Sequence, residues 1–169
     1  TKCVHRAMSL LQGMVSSKLT PSLVTYNELI HGQCKVGDLD SAFKLLDLMT
    51  ENKVVPDHWT YGVLVDSLCK KNRVEEARLL FDSLKEKGIQ PNEVIYTALI
   101  DGFCKAGKVD DGCSLLEKMQ NENCLPNSST YNALINGLCS ERKLKKALQL
   151  VADMEKVGLK PTVQTYTIL

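Results

Sequence analysis

Proline falls at positions 21, 56, 91, 126 and 161 and nowhere else in the chain. The interval is 35 residues every time, with no insertion. Tyrosine keeps the same interval at 26, 61, 96, 131 and 166, again with no other occurrence. Two scarce residue types holding one register mark a tandem repeat, and a period of this size predicts a solenoid or array. The 169 residues then divide into four whole units, 23–57, 58–92, 93–127 and 128–162. A partial unit at 1–22 precedes them as a second helix and linker, and 163–169 starts a further unit. A pattern cut at both ends is expected of an excerpt, with any targeting segment lying outside it.

Each unit carries two stripes of helical spacing. Tyr26, Leu29, Ile30 and Cys34 form the first, and Leu39, Ala42, Leu46 and Met49 the second. Helix A is predicted at about 24–35 and helix B at about 39–52. Between them stand Gly37, Asn72 and Gly107, residue types that tolerate the left-handed turn closing a helix. Arg142 breaks that series, which predicts a looser turn in the last unit. Helix B is expected to end near Gly88 and Gly158, where the following Pro stops it. After each Pro comes Ser22, Asp57, Asn92, Asn127 or Thr162, all good N-cap types. Ala42, Ala77 and Ala147 mark close packing of helix B. Gly112 replaces Ala there and should weaken its helix. One hairpin cannot bury both stripes, but stacked hairpins can. The expected fold is all-α, an α-solenoid or superhelix of helix-turn-helix repeats with a concave and a convex side.

Composition narrows the function. A formal net charge of +1 neither demands nor excludes a nucleic-acid partner. No apolar run is long enough to cross a membrane. Cys34, Cys69, Cys104 and Cys139 repeat at the same period, so they read as one structural position filled by a small buried hydrophobe. No CxxC pair exists, and His5, His31 and His58 share no ligand spacing with cysteine, so no metal or other cofactor is expected. No nucleophile–base pair or phosphate-cradling glycine loop stands out. An active site is a unique place and the chain has almost none, so an enzyme is not expected. Glu75, Glu76, Glu86, Asp110 and Asp111 read as solvated outer faces.

The 35-residue period, the "TYN-LI-G-CK-G" pattern of helix A and the "A--L---M---G--P" pattern leading into the next unit resemble the pentatricopeptide repeat family. The resemblance covers nearly the whole chain. Tetratricopeptide repeats differ, with 34 residues and a recurring Trp; the single Trp here, Trp59, does not recur. Equal unit lengths resemble the family's pure-repeat class.

The resemblance implies binding of single-stranded RNA along the concave face, one base per repeat. It assigns base reading to the residue after each Tyr and the residue after the Pro that closes the unit. Those pairs are Asn27 with Asp57, Gly62 with Asn92, Thr97 with Asn127, and Asn132 with Thr162. By the family's rule they favour U, A (weakly, because Gly offers no side chain), A, and C ahead of U. The implied site, read in parallel, is 5′-U-A-A-(C/U)-3′. Val24, Trp59, Val94 and Ser129, three residues after each Pro, would pack against base faces, with Gln164 next in the series. Lys35, Lys70 and Lys105 would meet phosphates, and Ser140 omits that contact. The family's setting is organelle RNA processing, stability or translation, in mitochondria first and chloroplasts second.

Simpler roles stand beside these. The residues after Pro are also helix caps, and the lysines are also favoured by the helix dipole. Trp59 could anchor a protein partner. The alternative function is a tetratricopeptide-like scaffold that binds a peptide on the concave face. Cut ends would also favour protein partners or self-association there. A four-base site recurs about once in 256 nucleotides, so specificity for one transcript needs more repeats.

Overall fold

The computed structural model describes residues 9, 11, 13, 14, 16, 17 and 19–169. Most of the leading partial unit therefore lies outside the described residues. From there the chain runs α1 (Leu23–Val36), α2 (Leu39–Glu51), α3 (His58–Lys70), α4 (Val74–Glu86), α5 (Glu93–Lys105), α6 (Val109–Asn121), α7 (Ser128–Ser140), α8 (Leu144–Lys156) and α9 (Val163–Ile168). The odd-numbered elements are the A helices and the even-numbered ones the B helices.

Local chemistry sets both ends of each helix. Ser22, Asp57, Asn92, Asn127 and Thr162 are N-caps, and each side chain accepts the backbone N–H three residues on. The A helices end on Gly37, Asn72, Gly107 and Arg142, all at positive φ. The B helices end on Lys53, Gly88, Asn123 and Gly158 in the same conformation. Arg142 does not loosen its turn. It adopts φ 58°, its N–H reaches the Cys139 carbonyl at 2.9 Å, and Lys143 N–H reaches Leu138 at 2.8 Å. The Gly107 turn makes the same two bonds at 3.1 and 2.8 Å. The hydrogen bonds of the turn therefore override the residue's own preference, at a steric cost of about 1–2 kcal/mol.

Tyr26, Tyr61, Tyr96 and Tyr131 are buried at the centre of successive units, together with Leu64, Leu99 and Leu134 from the A helices. Ala42, Ala77 and Ala147 are fully buried, as the spacing predicts. Gly112 occupies the same place, and the space its missing methyl leaves is approached by Leu134, whose Cδ2 would lie 3.0 Å from an added Cβ.

The two layers pack differently. Each A helix packs on the next A helix, whereas each B helix packs on its own A helix and α2, α4 and α6 pack also on the A helix that follows. Close A-to-A approach rests on small residues. A Cβ on Gly102 would lie 2.6 Å from Cys69 Cβ, and one on Gly137 would lie 2.9 Å from Cys104 Cβ. Cys69 and Cys104 are buried, and burial pushes both thiols up to about 12, so they act as small hydrophobes. Cys34 and Cys139 are half-buried and not fully enclosed as the period predicts. Cys34 is faced by Ser67. The B layer is joined from unit to unit by ion pairs: Lys108 with Glu75, Lys143 with Asp110 at 3.1 Å, and Lys118 with Asp82 at 3.5 Å. Tight packing on one side and long side-chain bridges on the other place the A helices on the short, concave side of the stack.

Candidate nucleic-acid interface

The N-terminal half of each A helix meets the next A helix at the unit boundary, and there the predicted pairs come together. Asn27 is only 8% exposed, and its Nδ2 donates to Asp57 Oδ1 at 3.4 Å across a gap of 30 residues in sequence. A third residue joins them. Thr60 Oγ1 donates to Asn27 Oδ1 at 2.6 Å, and Thr60 N–H donates to Asp57 Oδ1 at 2.9 Å. In the last unit Thr165 Oγ1 donates to Asn132 Oδ1 at 2.8 Å and lies 3.3 Å from the Thr162 hydroxyl. In the third unit the Thr97 and Thr130 hydroxyls are 2.7 Å apart, and Thr130 Oγ1 lies 3.1 Å from Asn127 Oδ1. The second unit differs. Gly62 and Asn92 have no such bridge, because Ile95 stands where the others carry Thr, 3.6 Å from the place a Gly62 Cβ would take. Asn27 and Asn132 are thus sunk into the floor of the groove, Thr97 is half-buried, and Asn127 and Thr162 are exposed.

Electrostatics at the first pair are well defined. Burial opposes ionisation of Asp57, but the hydrogen bonds it accepts from the Thr60 N–H and the Asn27 amide outweigh it. Its carboxyl is held below the usual aspartate value, so at neutral pH Asp57 only accepts hydrogen bonds.

Val24, Trp59, Val94 and Ser129 all project into solvent from the first turn of their A helices. Trp59 meets His31 edge-on at 5.5 Å between ring centroids. Clefts open between successive members of this row. One, of about 470 Å³, is bounded by Trp59 and Val94, with Asp57, Gly62 and Asn92 in its wall. The next, of about 630 Å³, lies among Val94, Ser129 and Gln164, with Thr97, Asn127 and Asn132 in its wall. The cleft walls therefore combine an apolar or small flank with the paired polar groups, repeated along the stack.

The three lysines are not equivalent. Lys70 pairs with Asp66 and Lys105 with Asp101, each at 2.6 Å. At the matching place before Lys35 stands His31, and among the described residues no carboxylate pairs with Lys35. Sequence reasoning missed Asp66 and Asp101, and it missed Thr60, Thr130 and Thr165. The signal was there in the 35-residue columns His31, Asp66, Asp101, Asn136 and Thr25, Thr60, Ile95, Thr130, Thr165. Among the described residues, no group of three or more His, Cys, Asp or Glu could hold a metal ion, and no helix is long and apolar enough to cross a membrane.

Fold and site together define a helix-hairpin solenoid with a polar cluster at three of its four unit boundaries, on the concave face. The profile of the PPR repeat family matches residues 21–70, 60–94, 91–140 and 126–169, and the chain belongs to this family. The crystal structure of the pentatricopeptide repeat protein PPR10 from maize is 28% identical, with a TM-score of 0.86 over 95% of this chain and 23% of that one. PPR10 in complex with an 18-nt psaJ RNA element is 28% identical, with a TM-score of 0.81 over 95% of this chain and 24% of that one. The PPR domain of Arabidopsis thaliana protein-only RNase P 1, in complex with tRNA, shares the fold at a TM-score of 0.78 and 20% identity, over 98% of this chain and 87% of that one. This chain thus spans about a quarter of the length of the PPR10 structures. No curated protein matches the sequence significantly.

Proposed function

We propose that this chain binds single-stranded RNA along the concave face of its A helices, one base per repeat, with the site 5′-U-A-A-(C/U)-3′. The observation that carries the reading is the clustering of the paired residues at three of the four unit boundaries, beside clefts of about 470 and 630 Å³. Asn27 with Asp57 reads U. Gly62 with Asn92 and Thr97 with Asn127 read A, the first more weakly. Asn132 with Thr162 reads C ahead of U. Val24, Trp59, Val94 and Ser129 flank the bases, and stacking on an aromatic contributes about 1–3 kcal/mol per base. Lys35, Lys70 and Lys105 face the phosphates. PPR10 bound to an RNA element, at 28% identity, supports the class of partner.

The reading is of a binding module and not of an enzyme. Its setting is organelle RNA processing, stability or translation, with the mitochondrion first and the chloroplast second, on family resemblance. Fluorescence anisotropy at low salt tests the partner class, with an unstructured RNA bearing UAAC, a scrambled RNA, the matching DNA and an apolar peptide. Preference for UAAC RNA, weakening as salt rises, is the expected result. Binding of the peptide and of no RNA overturns the proposal in favour of a protein scaffold.

A further inference from the structure

We infer that Thr60 and Thr165 are specificity-positioning residues, whose hydroxyls turn the Asn27 and Asn132 amides so that N–H and not C=O is offered to the base. The inference rests on the RNA reading above and deepens it.

An Asn side chain can present a donor or an acceptor, and the two states differ by a half-turn of the amide. Discrimination between base edges requires that one of them be fixed. At Thr60 the surroundings decide it. The hydroxyl oxygen already accepts Asp57 N–H at 3.2 Å, and its single proton can go to one acceptor. If it went to Asp57, the Asn27 amide would have to turn its oxygen toward the carboxylate 3.4 Å away. Asp57 accepts only, so that arrangement sets two acceptors against each other. The stable arrangement sends the Thr60 proton to Asn27 Oδ1 at 2.6 Å and one Asn27 N–H to Asp57. The second N–H of Asn27 is left for a base. Thr165 repeats the device in the last unit. It accepts Thr162 N–H at 3.0 Å, and Asn132 Oδ1 at 2.8 Å is nearer to it than the Thr162 hydroxyl at 3.3 Å. The second unit supplies the internal contrast. Where the reading position is Gly62 and has nothing to orient, the bridging position is Ile95 and has no hydroxyl.

A positioning role predicts a loss of selectivity with little loss of fold. Binding of UAAC RNA and its three first-base variants is measured for the unsubstituted protein, Thr60→Val and Thr60→Ser, with melting followed by far-UV circular dichroism. Thr60→Val is expected to cut the first-base preference for U by about fivefold, the worth of one ordinary hydrogen bond. Preference at the third base stays, and Thr60→Ser retains the first-base preference. Should Thr60→Val fail to fold, Thr165→Val and Thr165→Ser put the same question at the fourth base. Unchanged selectivity in the Val variant, or equal loss in Val and Ser variants, overturns the inference alone. An unsubstituted protein that binds all RNAs alike overturns the RNA reading beneath it.

Discussion

Gly102→Ala tests the packing that brings the A helices together. In an exposed helix this substitution stabilises by about 1 kcal/mol. Here the new methyl would lie 2.3 Å from Cys69 Sγ and 2.6 Å from Cys69 Cβ. The sulfur can swing to another rotamer, but Cβ is fixed to the backbone of α3, so α3 and α5 must part. Overpacking of this kind costs about 1–3 kcal/mol, and a contact that no side-chain rotation relieves belongs at the upper end. The net expectation is a loss of about 2 kcal/mol after the propensity gain is subtracted. The second substitution sharpens the test. Cys69→Ala keeps the offending Cβ and leaves the clash, whereas Cys69→Gly removes it. Urea denaturation followed by circular dichroism, run as two double-mutant cycles, should give a coupling of roughly 3 kcal/mol for the Gly pair and little for the Ala pair. A neutral or stabilising Gly102→Ala, or equal coupling in both cycles, refutes the claim that the glycine is there for interhelical contact.

Three further outcomes are expected. Arg142→Gly should stabilise by about 0.5 kcal/mol, since relief of the left-handed strain exceeds the entropy that glycine adds to the unfolded chain; thermal melting checks it. Asp57 has its carboxyl held below the ordinary value, so its contribution is present above an unfolded pKa of about 3.9 and is lost as pH falls through the depressed folded value. Acid titration of Asp57→Asn, which keeps the cap, should therefore show a shallower loss of stability below about pH 4. Lys35→Ala should lower the slope of log affinity against log salt by about 0.7, the value for one phosphate on a single strand. Lys70→Ala should lower it less, because Asp66 already neutralises Lys70, and Asp66→Asn should raise affinity; anisotropy across a salt series measures all three.

The period carried the fold. Five prolines and five tyrosines at one interval pointed to the caps and the two-helix hairpin before any coordinate, because each serves a backbone or core role that tolerates few residue types. The residues after each Tyr and after each closing Pro could be located too, as they sit at fixed offsets from those landmarks. What escaped was coupling between units. Thr60 belongs to one repeat and orients Asn27 of the previous one, and a reading that compares equivalent positions within columns does not see contacts between columns. Asp66 and Asp101 escaped for a different reason: each pairs with the Lys four residues on in its own helix, a spacing that the comparison of 35-residue columns does not weigh. Arg142 misled because residue preference is a weak force beside two backbone hydrogen bonds and a neighbouring buried stripe.

The most direct test of base reading is to recode one unit. Thr97→Asn with Asn127→Asp copies the first pair into the third unit, where Thr130 already stands in the bridging position. Anisotropy against UAAC and UAUC RNA should show the unsubstituted protein preferring the first and the double variant preferring the second, with the other positions unchanged. If the double variant is folded and its preference at the third base does not move toward U, the paired residues do not read the base.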